Sequence, residues 1–201
     1  MTNFCKIFVA QLPLRALITV FTLALLHGQP LFAGESDQEF DRWLAELKQE
    51  AVSEGVPALL VAEALDGVKL REEVLKGDRN QPEFKLTLGG YLKRVVSAQR
   101  VAKGRRMLAE HRPLLEEIAG HYKLQPRFLL AFWGIETDYG RVLGDFPVVQ
   151  SLVTLAFDPR RGNYFRKELL LSLHILADGL APLERLQGSW AGAIGGLQFM
   201  P

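Results

Sequence analysis

Cysteine is almost missing from this chain: Cys5 is the only one among 201 residues. No disulfide framework, zinc–thiolate site or thiol nucleophile can therefore be assembled beyond residue 5. A surplus of one charge sign is missing too, with 24 basic against 23 acidic residues. A nucleic-acid binder needs a basic face to neutralise phosphates, so that class is disfavoured. Long apolar runs are also lacking. The most apolar stretch, Ala16–Leu26, has 11 residues, short of the roughly 20 that span a bilayer as a helix. Alternating strand patterns of useful length, internal repeats and low-complexity tracts are absent, which leaves a mostly helical domain. His111, His121 and His174 do not have metal-ligand spacing, and no cofactor is expected.

The N-terminus reads as a secretory signal over residues 1–33. Lys6 and Arg15 are its only charges, the 11-residue apolar stretch follows, and Leu31-Phe-Ala33 offers a small residue for cleavage. An uncleaved anchor is the alternative. Cys5 precedes the apolar stretch, where it is badly placed for lipid attachment. Taking away residues 1–33 removes 2 of the 24 basic residues and no acid, leaving 22 against 23 and a net charge of −1. A signal followed by a cysteine-free domain points to the bacterial periplasm or cell exterior, with no membrane span after cleavage.

Along residues 34–201, Ser36-Asp-Gln-Glu39 has capping-box spacing ahead of Phe40, Trp43, Leu44 and Leu47, so a helix is predicted to start there. Gly55 and Pro57 predict its end and the start of the next helix, and Asp66-Gly67 a further break. Lys76–Pro82 reads as a polar connector. Tyr91, Leu92, Val95 and Val96 suggest a helical turn, Val101–His111 a basic amphipathic segment, and Leu114–Tyr122 a helix after Pro113. Pro126 opens and Gly140 closes another helix. Val148–Phe157 is apolar without a clear period. Phe165, Leu169, Leu173 and Leu176 share one helical face.

Two stretches carry chemistry. In Phe128–Gly140 an apolar run ends at an acid, Glu136, with Leu129 and Trp133 at the preceding helical repeats and Asp138 two residues on. Buried there, a carboxyl would have a raised pKa suited to a general acid; otherwise Glu136 is a helix-end residue turned to solvent. The Gly188–Pro201 stretch holds four glycines between 188 and 196, with Ser189 and Gln198 as short polar groups. Its composition permits close approach of backbone to a ligand, or a tight loop between helices. No Lys-Ser/Thr pair follows, so it is not a phosphate cradle. Ser189 lacks His and Asp neighbours for a triad. His174, set among Leu173, Ile175 and Leu176, reads as a packing residue. Arg105-Arg106 and Arg160-Arg161 read as solvated faces, with glycan or anion contact as the sharper alternative.

Phe132-Trp-Gly-Ile-Glu-Thr-Asp-Tyr-Gly-Arg141 and Gly188-Ser-Trp-Ala-Gly-Ala-Ile-Gly-Gly-Leu-Gln-Phe-Met-Pro201 together resemble the signatures of the B-type lytic murein transglycosylases, glycoside hydrolase family 103. Leu152–Asp158, Arg160-Arg161, Tyr164-Phe165, and Gln81–Phe84 followed by Tyr91 fit the same resemblance, which spans roughly residues 36–201. It implies a lysozyme-like, mostly α catalytic domain acting on peptidoglycan glycan strands, with cell-wall synthesis proteins as further candidate partners. By resemblance Glu136 is the catalytic acid, Ser189 orients an N-acetyl group, and Gln198 contacts glycan. Tyr91 matches an active-site tyrosine and Phe199 borders the groove. The family continues beyond the Gln-Phe-Met-Pro motif, in some members through a calcium-binding loop, so the chain is expected to be the incomplete, N-terminal part of that domain. The implied reaction is cleavage of the MurNAc-β-1,4-GlcNAc bond with formation of a 1,6-anhydromuramic end. A lysozyme-type hydrolase and a non-catalytic wall-binding protein are the rivals.

Overall fold

The computed structural model describes residues 32–81 and 86–201. The predicted signal falls almost wholly outside them, as does most of Gln81–Phe84. Contacts divide the chain into two compact units, residues 1–42 and 43–201. Of the first, only residues 32–42 are described, as the opening turns of helix α1 (Phe32–Ser53). That helix starts four residues before the predicted capping box at Ser36: Phe32–Glu35 contains no proline and continues the helix upstream. Gly55 takes φ 98° and α2 (Ala58–Leu65) follows, as the Gly-Pro punctuation predicts.

Within the second unit, the core centres on α8 (Val148–Phe157) packed along α9 (Gly162–Ala177). Eight of the ten α8 residues are buried. A helix enclosed on every side has no polar face, so its sequence shows no amphipathic period. Helix α9 contributes Phe165, Leu169, Leu173 and Leu176, the predicted stripe. Leu47 of α1, Leu65 of α2 and Val74 of α3 (Glu72–Arg79) complete this core. Fully burying each such side chain is worth about 1.5–3 kcal/mol.

Helix α3 corrects the prediction of a polar connector at Lys76–Pro82. Residues 76–79 are helical, with Glu72 and Glu73 in the first turn and Lys76 and Arg79 in the last. That arrangement suits the helix dipole, and Lys76 pairs with Glu72 one turn back. Asp78 turns inward, only 4% exposed, and is held by Arg160 at 2.5 Å and by Arg161. The arginine pair is therefore a clamp on a buried acid, and the expectation of a merely solvated face is corrected. Gly77 leaves room for the indole of Trp190: a Cβ there would lie 2.8 Å from its ring.

A second group of helices packs around α7 (Pro126–Thr137). It comprises α5 (Ala98–Glu110) and α6 (Arg112–Tyr122), with α4 (Leu88–Val95) preceding them. Pro126 occupies the first turn of α7, where its missing N–H goes unneeded. Strands β1 (Phe146–Pro147) and β2 (Gln187–Gly188) pair antiparallel, Phe146 opposite Gly188. They bring the Gly-rich stretch beside the entry to α8.

Candidate active site

Helix α7 ends at Thr137, not at the predicted Gly140, because three successive residues turn left-handed: Asp138 at φ 50°, Tyr139 at φ 58° and Gly140 at φ 77°. For Asp138 and Tyr139 this backbone costs roughly 1–2 kcal/mol each. Several bonds offset it. The Asp138 and Tyr139 N–H groups return to the carbonyls of Gly134 and Trp133 at 3.2 and 3.0 Å. Lys103 Nζ donates to the Asp138 carbonyl at 2.7 Å, and the Tyr139 hydroxyl to the Arg100 carbonyl at 3.0 Å. The Tyr139 ring lies against Gly134, where an added Cβ would come within 2.6 Å of it. Burial pushes the Tyr139 phenol above its ordinary pKa, so it stays a donor.

Thr137 is the joint of the site, and only 1% of it is exposed. Its hydroxyl donates to the Gly196 carbonyl at 2.7 Å, with the Trp133 carbonyl at 3.2 Å, and accepts from the Gly140 N–H at 3.0 Å. One side chain thus closes the left-handed turn and fastens the end of α7 to the Gly-rich loop. Within that loop, the Ser189 N–H donates to the Ala193 carbonyl at 2.8 Å and its Oγ accepts from the Ala193 N–H at 3.1 Å. The Ser189 hydroxyl proton has no acceptor among the described residues. Gln198 is left-handed at φ 52° and spends its amide N–H groups on the carbonyls of Leu143 and Gly195, at 3.1 and 3.0 Å. Its Oε1 is left as an acceptor. Phe199 is exposed, with its backbone bridged to Ile194.

Glu136 sits in the last turn of α7 and is exposed; no hydrogen bond or ion pair engages it among the described residues. Of the two alternatives the sequence leaves open, the helix-end residue turned to solvent is the one found, not the buried carboxyl. Trp133 is half-buried, in edge contact with His111 and Tyr139, whereas Glu136 lies on the side of α7 that leaves Phe128, Phe132 and Ile135 exposed. Sharing a heptad-like spacing with Trp133 did not carry Glu136 inward, because three residues turn a helix by about 300°, not a full circle. Tyr91, on α4, is half-buried, and among the described residues no hydrogen bond or ring contact joins its side chain to the loop or to α7.

Of three other acids, Asp138 and Asp158 are committed to cations. Asp138 accepts from Arg141 at 2.5 Å and Lys103 at 3.3 Å; the Arg141 bond first, then Lys103, holds its carboxyl below the usual range. Asp158 pairs with Arg79 at 2.6 Å, and Asp145 is exposed in its loop. Of the four glycines, Gly188, Gly192 and Gly196 lie against Ala193, Leu152 and Trp133, while Gly195 faces open space. The close approach they permit is therefore chiefly to the chain itself. Composition and period give Thr137 and Tyr139 no prominence in the sequence; the signal for them is the run Thr-Asp-Tyr-Gly at a helix end. No group of three or more His, Cys, Asp or Glu side chains is gathered as metal ligands among the described residues.

The transglycosylase SLT domain model matches residues 39–201, taking in α7, the left-handed turn and the whole Gly-rich loop. The chain belongs to the transglycosylase SLT-domain family. Membrane-bound lytic murein transglycosylase B of Escherichia coli is 34% identical over 112 residues, 55% of this chain and 31% of that protein. SltB3 of Pseudomonas aeruginosa, solved with NAG-anhNAM-pentapeptide, superposes with TM-score 0.74 at 36% identity, over 80% of this chain and 43% of SltB3. The soluble lytic transglycosylase SltB1 of the same organism gives TM-score 0.72 at 27% identity, over 79% and 54% of the two chains. The mostly helical, lysozyme-like transglycosylase fold expected from the sequence is thus the fold found. This SLT-domain chain spans about half the length, or less, of the relatives it matches. No helix among its described residues is long and apolar enough to cross a membrane.

Proposed function

We propose that this chain carries the acid-bearing half of a peptidoglycan lytic transglycosylase that cleaves the MurNAc-β-1,4-GlcNAc bond. The observation that carries the reading is the Thr137 joint, which fastens the turn after Glu136 to the loop bearing Ser189, Gln198 and Phe199. The uncommitted Ser189 hydroxyl proton suits the carbonyl of an N-acetyl group, and Gln198 Oε1 suits a sugar hydroxyl.

In this reading protonated Glu136 donates to the departing glycosidic oxygen. The N-acetyl oxygen of the muramic residue, oriented by Ser189, stabilises the oxocarbenium-like centre, so a second enzyme carboxylate is not required. Glu136, now a carboxylate, takes the proton of the C6 hydroxyl, whose oxygen closes on C1 to give the 1,6-anhydro ring without water. Nucleophile and electrophile belong to one sugar, which gives the closure its entropic advantage. Bound glycan supplies the exclusion of water that Glu136 lacks in the free chain. Tyr91 is a further groove contact. The signal-like sequence of residues 1–33 supports action in the periplasm, in wall remodelling.

Glu136→Gln is expected to abolish 1,6-anhydromuramic products from purified sacculi while sacculus binding persists. Mass spectrometry that finds only hydrated reducing ends would replace this reading with a hydrolase, and equal lysis by mutant and wild type would remove Glu136 from it. The exposure of Glu136 favours one second reading, a chain that holds glycan without cutting it. That reading predicts retention on sacculi with no fall in turbidity.

A further inference from the structure

A polar cleft of about 330 Å³ opens beside the left-handed turn, lined by Ser97, Gln99, Arg100, Lys103 and Arg106 with Asp138 and Arg141. Arg100, Lys103 and Arg106 are spaced three residues apart on α5, and all three line the cleft. Four cations meet one carboxylate there, a formal surplus of 4 − 1 = +3 in a chain whose total is only +1. A structural role explains part of it: Asp138 draws Arg141 to 2.5 Å, Lys103 to 3.3 Å and Arg100 to 3.9 Å. It does not explain Arg106, which is exposed and takes no part in that network. Nor does it use all of Arg141, which is 69% exposed and engages Asp138 through Nε. The terminal N–H groups of its fork are uncommitted among the described residues. The N-terminus of α5, a 13-residue helix, adds its own partial positive charge.

Neutral sugars are held by hydroxyl hydrogen bonds and apolar faces, and do not call for a +3 cleft. A carboxylate does, because a guanidinium fork accepts it bidentately. Asp138 is two residues from Glu136, so their Cα atoms are within about 7 Å; the two side chains leave the chain in different directions, and an extended stem of four residues, about 13 Å long, reaches from a sugar at Glu136 to this cleft. Resting on the proposed glycan-cleaving role, we propose that this cleft binds a carboxylate of the peptide stem borne by the muramic acid at the cleaved bond. Arg106 and Arg141 are the contacting cations, and Lys103 and Arg100 hold the turn in place.

The test compares glycan strands carrying tetrapeptide stems with the same strands stripped of peptide. Wild type is expected to show about a tenfold lower KM for the stem-bearing strands, equivalent to roughly 1.4 kcal/mol, with a smaller preference at 0.5 M salt. Arg106→Gln should raise KM on stem-bearing strands several-fold and narrow the gap between the two substrates, and Arg106→Lys should restore part of it. Equal KM values for the two substrates in wild type, or an equal rise on both in Arg106→Gln, overturns the inference and leaves the cleavage reading intact. Failure of wild type to cleave either substrate overturns the cleavage reading and this inference with it.

Discussion

Replacing Thr137 with valine keeps the shape of the side chain and removes one buried hydroxyl. Two partners lose it together, the Gly196 carbonyl at 2.7 Å and the Gly140 N–H at 3.0 Å. Leaving a buried polar group unpaired costs about 1–3 kcal/mol. Gly140 and Gly196 are half-buried, so each belongs at the low end, for a sum of about 2–3 kcal/mol. At roughly 2–4 °C per kcal/mol for a domain of this size, the melting temperature should fall by about 4–12 °C, with a matching shift of the urea midpoint. Thr137→Ser keeps the hydroxyl and loses one methyl, worth about 1 kcal/mol. The Ser variant should therefore retain most of the stability and, on the proposed function, most of the cleavage. The Val variant should lose more than tenfold in cleavage even below its melting point, since the loop bearing Ser189 and Gln198 loses its tie to α7. A Val variant as stable as wild type, or a Ser variant as damaged as Val, would refute the assignment of Thr137 as the joint.

Gly134→Ala places a methyl against the Tyr139 ring, which its bond to Arg100 keeps from moving away. A loss of about 1–3 kcal/mol in urea unfolding is expected, and an unchanged midpoint would show the turn to be looser than described. Asp138 has a folded-state pKa below the ordinary aspartate value of about 3.9, chiefly through Arg141. Its contribution to stability is present above that value and fades as pH falls through the lower folded value. Asp138→Asn should flatten this acid limb of the stability curve; an identical limb would exclude Asp138 as its source. Asp78→Asn leaves Arg160 and Arg161 without their buried partner. Both arginines can turn partly to water, so a loss of about 1–2 kcal/mol is expected by thermal denaturation, with no change at all counting against the clamp.

Local signals announced most of the helices. Pro126 opened α7 and the Gly55-Val-Pro57 punctuation separated α1 from α2 because φ restriction and left-handed backbone are properties of single residues. The stripe of Phe165, Leu169, Leu173 and Leu176 was legible because one face of α9 still meets solvent. The α8 helix showed no period because eight of its ten residues are buried, and α3 read as a connector because Asp78 finds its partners 82 and 83 residues away in Arg160 and Arg161. The two motifs around Glu136 and Ser189–Phe199 stood out in the sequence, yet the residue that unites them, Thr137, did not. Its importance lies in a hydrogen bond across 59 positions.

Composition by itself determined that residues 34–201 are cysteine-free and nearly neutral, since those properties belong to residues one at a time, and residue order added the helices, since period and punctuation are local. Tertiary structure decided that Glu136 faces outward, that Asp138 is bound by three cations, and that Arg106 shares a cleft with Arg141. Each of these depends on how far α7 turns before Asp138 reverses its backbone, and on which helix meets it there. Sequence periodicity fixes neither the angle at which a helix stops nor the partner that waits at its end.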